Sequence, residues 1–460
     1  MRKNEVNMLS GSIMKGLLTI SVPIMIMNVL QSLFSIVDMT VLKIFDTSDG
    51  YSVGAVGVSG TLISLITGLL IGVSAGANVI IARYIGKGEK ESVEKCVSTS
   101  IAFSILGGIA LLFIGVIFSR LFLILTNCPE RLLEQAVLYF RLYFIGSPIL
   151  MVYNFFASIL RATGDSKRPM VFLTIGGVAK VLLNLLFVGV FRMEVVGVAL
   201  ATIVSWGVSA VLAGNALYKN KGDVSFRFKK IKIYGKYLKE ILIIGVPTGM
   251  QQALYSIANV IITSTVNTFG PDATTGISIA NQFDAILYQV SVAPSLAVMP
   301  YVSQNVGAKN IKRAKEATYK GLMITILFGA SLGALSAIFS GQLSSLMSES
   351  PEVIAYSKQK MVIISSTYFI CGISEVLGGA LKGMGRPVVP MVCTLLFMCA
   401  LRFVWVYLIF PLYRNLTFLY LIWPIGWVLS IIVVLVFLII TTKSLEKRNK
   451  RETIESNHNI

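Results

Sequence analysis

Charge is scarce in this chain. Asp, Glu, Lys and Arg make up 13% of its 460 residues, against about 25% in soluble domains, which argues against a water-soluble fold. Histidine is rarer still. The only one, His458, lies in a polar tail, so no imidazole serves as base or metal ligand within the apolar body. None of the five cysteines (Cys96, Cys128, Cys371, Cys393 and Cys399) stands in a CxxC or other metal-ligand spacing, and they read as small apolar residues in helices. A GxxxxGK[ST] loop is also missing, so the chain does not hold ATP in the P-loop manner. No constellation for covalent chemistry is present. The chain is not expected to be an enzyme or to carry a cofactor, and what remains is transport driven by an ion gradient.

Apolar residues are what the chain has in abundance: 55% of the sequence is hydrophobic and the mean hydropathy is +0.78. This is the composition of an integral membrane protein in a lipid bilayer. Twelve apolar segments, near 16–42, 52–82, 96–119, 132–160, 169–191, 195–217, 241–268, 275–304, 316–340, 353–381, 388–411 and 418–441, each reach the roughly 20 residues a helix needs to cross the hydrocarbon. The formal charge of +18 is spread between these segments and reads as a topology signal, with no nucleic-acid partner expected. The tails and the loops after even-numbered segments hold 30 of the 40 Lys and Arg, and the other loops hold seven. By the positive-inside rule both termini are cytoplasmic, in the cell (inner) membrane. The first segment is too long for a signal-peptide core and lacks a small-residue cleavage site, so it is expected to be retained.

The stretch from Lys219 to Lys239 holds eight Lys or Arg and one acid, Asp223. It reads as the seam between two copies of one design. Gly86 and Gly307, Leu160 and Leu381, Gly164 and Gly385, Pro169 and Pro390, and Trp206 and Trp427 are each 221 residues apart, and Pro23 and Pro247 are 224 apart. A constant offset over so many landmarks is the signature of an internal repeat. The expected organisation is a first lobe at 1–218, a basic cytoplasmic linker at 219–240, a second lobe at 241–442 and a cytoplasmic tail at 443–460. With six crossings in each, the repeats are parallel, related by an axis along the membrane normal. Gly68, Gly72 and Gly76 recur every fourth residue, a spacing that lets helix backbones approach closely. Pro23 and Pro247 sit in or near helix starts, where a missing amide donor permits a bend or hinge.

Once charges near the segment ends, Lys358 and Lys360 among them, are counted with the loops, six remain inside apolar segments: Asp38, Arg141, Lys180, Asp284, Glu375 and Arg402. Each costs about 2.5–3.5 kcal/mol at a helix centre on insertion scales, so they call for partners, a wet cavity or a function. One acid and two bases fall in the first half, two acids and one base in the second, so the second lobe is expected to be the more attractive to a cation. Pairing of Glu375 with Arg402 is one arrangement open to these side chains. A cavity-facing Glu375 is the other.

Five stretches carry a family resemblance: Pro23 through Asp38, LRATGDSKRP (residues 160–169), QNVGAKN (304–310), LKGMGRP (381–387) and WPIGW (423–427). With two six-helix halves, the chain resembles the multidrug and toxic compound extrusion (MATE) transporters over nearly its full length. The resemblance implies an all-α membrane protein of twelve helices in two pseudo-symmetric six-helix lobes forming a V. It also implies antiport, in which amphipathic, cationic drugs or metabolites leave by alternating access. Asp38 matches the family's ion-coupling carboxylate and Asn184 the asparagine that accompanies it, while Asp284 and Glu375 lie at or near further family acids. Val188 stands where many members have an acid, and with Lys180 nearby this favours protons over sodium. A single chain is expected to suffice. Two other readings are a lipid-linked oligosaccharide flippase of the same superfamily and a non-transporting membrane regulator.

Overall fold

The computed structural model describes residues 5–45, 51–126, 128–220, 224 and 231–458, and among them there is no β-strand. The first repeat forms α1 (Ile13–Phe45), α2 (Tyr51–Lys87), α3 (Lys90–Leu125), α4 (Glu130–Ile145), α5 (Ser147–Ala162), α6 (Lys167–Asn184) and α7 (Glu194–Tyr218). The second forms α8 (Gly235–Asn267), α9 (Pro271–Gly307), α10 (Ile311–Ile338), the short α11 (Ser340–Ser345), α12 (Pro351–Ser365) and α13 (Tyr368–Gly383), and continues through α14 (Val388–Cys393), α15 (Leu401–Val404), α16 (Leu416–Tyr420) and α17 (Ile422–His458). Ten spans among the described residues are long and apolar enough to cross a membrane. Two bent pairs, α4 with α5 at 47° and α12 with α13 at 43°, bring the number to twelve when each is counted as one crossing. In a bilayer no water satisfies backbone polar groups, so helices that bond internally are the economical solution. Large apolar side chains such as Leu106, Phe113, Ile117, Leu182, Val211 and Leu327 stand exposed on their outer faces, as lipid-facing positions do.

The chain divides into two compact units, one of Met1–Val6, Ile26–Ile85 and Glu89–Gly249, the other of Asn7–Met25, Gly86–Gly88 and Met250–Ile460. It passes from one unit to the other after Met25 within α1 and after Gly249 within α8, each two residues past the in-helix prolines Pro23 and Pro247. Most of the basic seam, residues 221–223 and 225–230, lies outside the described residues. Its far end is anchored in the first unit. Lys232 exchanges two hydrogen bonds with the Ser98 hydroxyl, at 2.8 and 3.0 Å, and the Tyr234 amide donates to Thr99.

The repeat extends to backbone detail. In each half the helix before the matching loop ends in a Schellman motif. Asp165 N–H donates to Leu160 O and Gly164 N–H to Arg161 O, and 221 residues later Arg386 N–H donates to Leu381 O and Gly385 N–H to Lys382 O. The glycines have φ of +86° and +87°, the left-handed conformation that a Cβ disfavours. In the first unit, the α2 glycines meet glycines of α8. A Cβ on Gly72 would collide with the backbone of Thr248 and Gly249, and one on Gly76 with that of Ile241 and Gly245.

Candidate functional site

Each unit encloses a polar cavity. The first, of about 480 Å³, is lined by residues including Gln31, Asp38, Tyr139, Asn154, Lys180 and Trp206. Asp38, on α1, is 8% exposed. Its carboxylate accepts from Lys180 Nζ at 2.5 Å and from Asn184 Nδ2 at 2.6 Å. Lys180 and Asn184 are four residues apart on α6, and so present their side chains on one face. Gly177, one turn before Lys180, lets α1 come this close, because a Cβ there would run into the Phe34 ring. Asn184 Oδ1 has no hydrogen-bond partner among the described residues. The acid is thus held by a base and an amide, not by a second carboxylate: Val188, at the next turn, is fully buried.

The second cavity, of about 360 Å³, is lined by Asn259, Asn281, Asp284, Lys360, Arg402 and Trp423 with further aromatic residues. Lys360 Nζ forms a 2.9 Å ion pair with Asp284 and donates to Asn281 Oδ1. Arg402 is 1% exposed. Its Nη1 donates to Asn259 Oδ1 at 2.8 Å, and its guanidinium carbon lies 4.9 Å from the centre of the Trp423 ring.

These placements correct three sequence expectations. Arg402 does not pair with Glu375, which instead accepts from Tyr255 at 3.2 Å and from Gln251 at 3.5 Å. Glu375 is buried behind Tyr255, outside the cavity lining. Arg141, one of the six charges inside apolar segments, lines neither cavity. It is exposed on α4 and donates to Ser119. Lys360, assigned to a loop from the sequence, is 3% exposed and lines the cavity. The charge balance therefore inverts: one acid and one base line the first cavity, one acid and two bases the second. The second is the less attractive to a cation.

Helix irregularities mark both sites. Directly after Asn184 the chain forms a π-helical segment, Leu185–Val190, and Arg402 sits in a single α-turn between the π-helical segments Thr394–Ala400 and Trp405–Ile409. Such insertions rotate the side chains that follow and concentrate at functional sites. No residue pattern in these apolar runs announces them.

The MatE family model matches residues 23–186 and 247–408, two stretches that begin at Pro23 and Pro247 and cover most of the chain. The chain belongs to the MatE family. Among its relatives, a probable multidrug resistance protein of Bacillus subtilis is 28% identical over 392 residues, 84% of each chain. An FAD transporter of Shewanella oneidensis is 27% identical over 407 residues, 85% of this chain and 87% of that one. A solved MOP-superfamily transporter from Pyrococcus furiosus superposes with a TM-score of 0.89 at 22% identity, covering 97% of this chain and 99% of that one, a likeness of fold. This MatE protein is a multi-pass membrane transporter of small molecules, with helices in two lobes, and not an enzyme.

Proposed function

We propose that this MatE protein is a secondary active antiporter that exports small amphipathic organic molecules across the cell membrane by alternating access, with a proton carried by Asp38 as the counter-ion. The observation that carries this reading is the Asp38–Lys180–Asn184 cluster on the wall of the first cavity. An ammonium already occupies one carboxylate oxygen of Asp38, and a hard cation prefers several oxygen ligands. A sodium ion would have to displace Lys180 and accept its repulsion. A proton needs only one oxygen, and its arrival opens the ion pair. Paired and opened clusters are two discrete arrangements, as alternating access requires. Pro23 and Pro247 stand two residues before the points where α1 and α8 pass between units, which supports a hinge role for both. Relatives named for multidrug resistance and for FAD transport support an organic cargo, and the neutral total charge of the first cavity leaves its sign open.

The test is dye efflux in proteoliposomes under separately imposed pH and sodium gradients. Efflux is expected to follow the pH gradient and to vanish in Asp38→Asn, with that variant inserted at normal levels. Efflux that persists without a pH gradient and collapses on sodium removal would reverse the assignment of the ion. No gradient-dependent efflux under either condition would favour the flippase or regulatory reading.

A further inference from the structure

The second cavity holds a charge that no carboxylate among the described residues balances. Asp284 is matched by Lys360. Arg402, 1% exposed, has no carboxylate within ion-pair distance among the described residues. Its Nη1 is engaged by the neutral Asn259, and its Nε has no partner among the described residues. A buried guanidinium without a counter-ion is an unfavourable state, offset here only in part by the Trp423 ring beneath it. Glu375, the remaining acid nearby, is turned to Tyr255 and Gln251. The cavity wall around Arg402 is aromatic, with Tyr255, Tyr288, Tyr368, Trp423 and Trp427, and its volume falls within the range of small-molecule sites.

We infer that this cavity is a binding site for an aromatic anion, a planar ring bearing a carboxylate or phosphate. The guanidinium of Arg402 supplies the missing counter-charge and the fork geometry that matches an oxyanion. The aromatic side chains supply the surface for the ring. Lys360, already committed to Asp284 and Asn281, keeps that acid from repelling the ligand. The inference rests on the transporter reading only in giving the anion a role as cargo. Equilibrium binding tests it independently.

The experiment is isothermal titration of the full-length protein in phosphatidylcholine nanodiscs with three probes that share one ring: 2-naphthoate, neutral 2-naphthamide and 2-naphthylmethylammonium. Naphthoate is expected to bind at least tenfold more tightly than the ammonium, and acetate to bind too weakly to detect. Arg402→Gln should remove the preference for naphthoate over the ammonium, and Arg402→Lys should keep part of it. Asp284→Asn gives the opposite sign: removing the acid should tighten naphthoate several-fold, whereas in a cation site the same change weakens binding. This second variant decides the matter even if Arg402→Gln fails to elute as a single folded species. Equal or tighter binding of the ammonium, an unchanged preference in Arg402→Gln, or weaker naphthoate binding in Asp284→Asn would each overturn the inference. Acetate binding as tightly as naphthoate would overturn its aromatic part. A protein that binds naphthoate as expected yet shows no gradient-driven efflux would leave this site standing and remove the antiport reading.

Discussion

At the scale of single residues, the two cavities differ in how their charges are matched, and the difference is measurable. Asp38 and Lys180 form a partly buried pair. Removing one partner of a buried pair costs about 3–5 kcal/mol because the other is left uncompensated, whereas removing both is milder. Asp38→Asn and Lys180→Gln are therefore each expected to lower the thermal midpoint of the purified protein, and the double variant to recover much of the loss. Additive losses would show that the pair contributes no coupling. The same measurement separates the acids of the second unit. Asp284 and Lys360 are in contact, where interaction energies run at about 0.5–3 kcal/mol. Glu375 and Arg402 have different partners, and their cycle should show a smaller coupling than that of Asp284 and Lys360. A larger one would contradict the geometry. Asp38 was legible in the sequence because a carboxylate in an apolar helix stands out against its surroundings, and Asn184 only through the family resemblance. Lys360 was not, because a base nine residues past Pro351 resembles a loop-flanking charge until the helix is seen to start there. At 1.5 Å per residue it lies about 14 Å inside α12. Whether Arg402 met Glu375 depended on side-chain direction, on which residue spacing is silent.

Elements show the repeat most clearly. A constant offset predicts that equivalent turns share a backbone conformation, and the Schellman motifs at Gly164 and Gly385 do. A second pair of positions follows the same rule with a different residue. Gly88 has φ of +73° and Lys309, 221 residues later, +59°, and the next residue makes the same hydrogen bond back to the helix, Glu89 N–H donating to Tyr84 O and Asn310 N–H to Asn305 O. An L-residue in this conformation costs about 1–2 kcal/mol. Gly164→Ala and Gly385→Ala are expected to lose about that much each, read as a lowered midpoint of thermal unfolding by a size-exclusion assay in detergent. No change at either site would mean that the loop relaxes without strain. The twelve crossings were legible because length and hydropathy decide them. The 47° and 43° bends and the π-helical segments were not. Each changes the helix path by a few atoms within a run of apolar residues whose composition is the same on either side.

For the whole molecule, the distribution of charge predicts which ends share a side, and the folded chain adds a test that composition alone does not. The helix α17 has 37 residues, about 55 Å at 1.5 Å per residue, well beyond the roughly 30 Å of hydrocarbon it must cross. Its apolar part precedes a terminal stretch rich in Lys and Arg. That stretch is tied to the start of α10 by the Lys315–Glu446 and Lys309–Glu452 ion pairs, at 2.6 and 2.5 Å. Exposed pairs of this kind contribute about 0–1 kcal/mol each, so they report proximity more than stability. They place the C-terminal end of α17 on the same side of the membrane as the turn between α9 and α10, one of the basic loops that the sequence assigns to the cytoplasm. A reporter fluorescent only in the cytoplasm is therefore expected to glow when fused after residue 458 or inserted at Ala308, and to stay dark when inserted at Arg192, in the turn between α6 and α7. Fluorescence at Arg192, or its absence at Ala308 with the fusion at 458 lit, would break the link between charge and topology. It would also reverse the direction in which a proton gradient could drive export through Asp38.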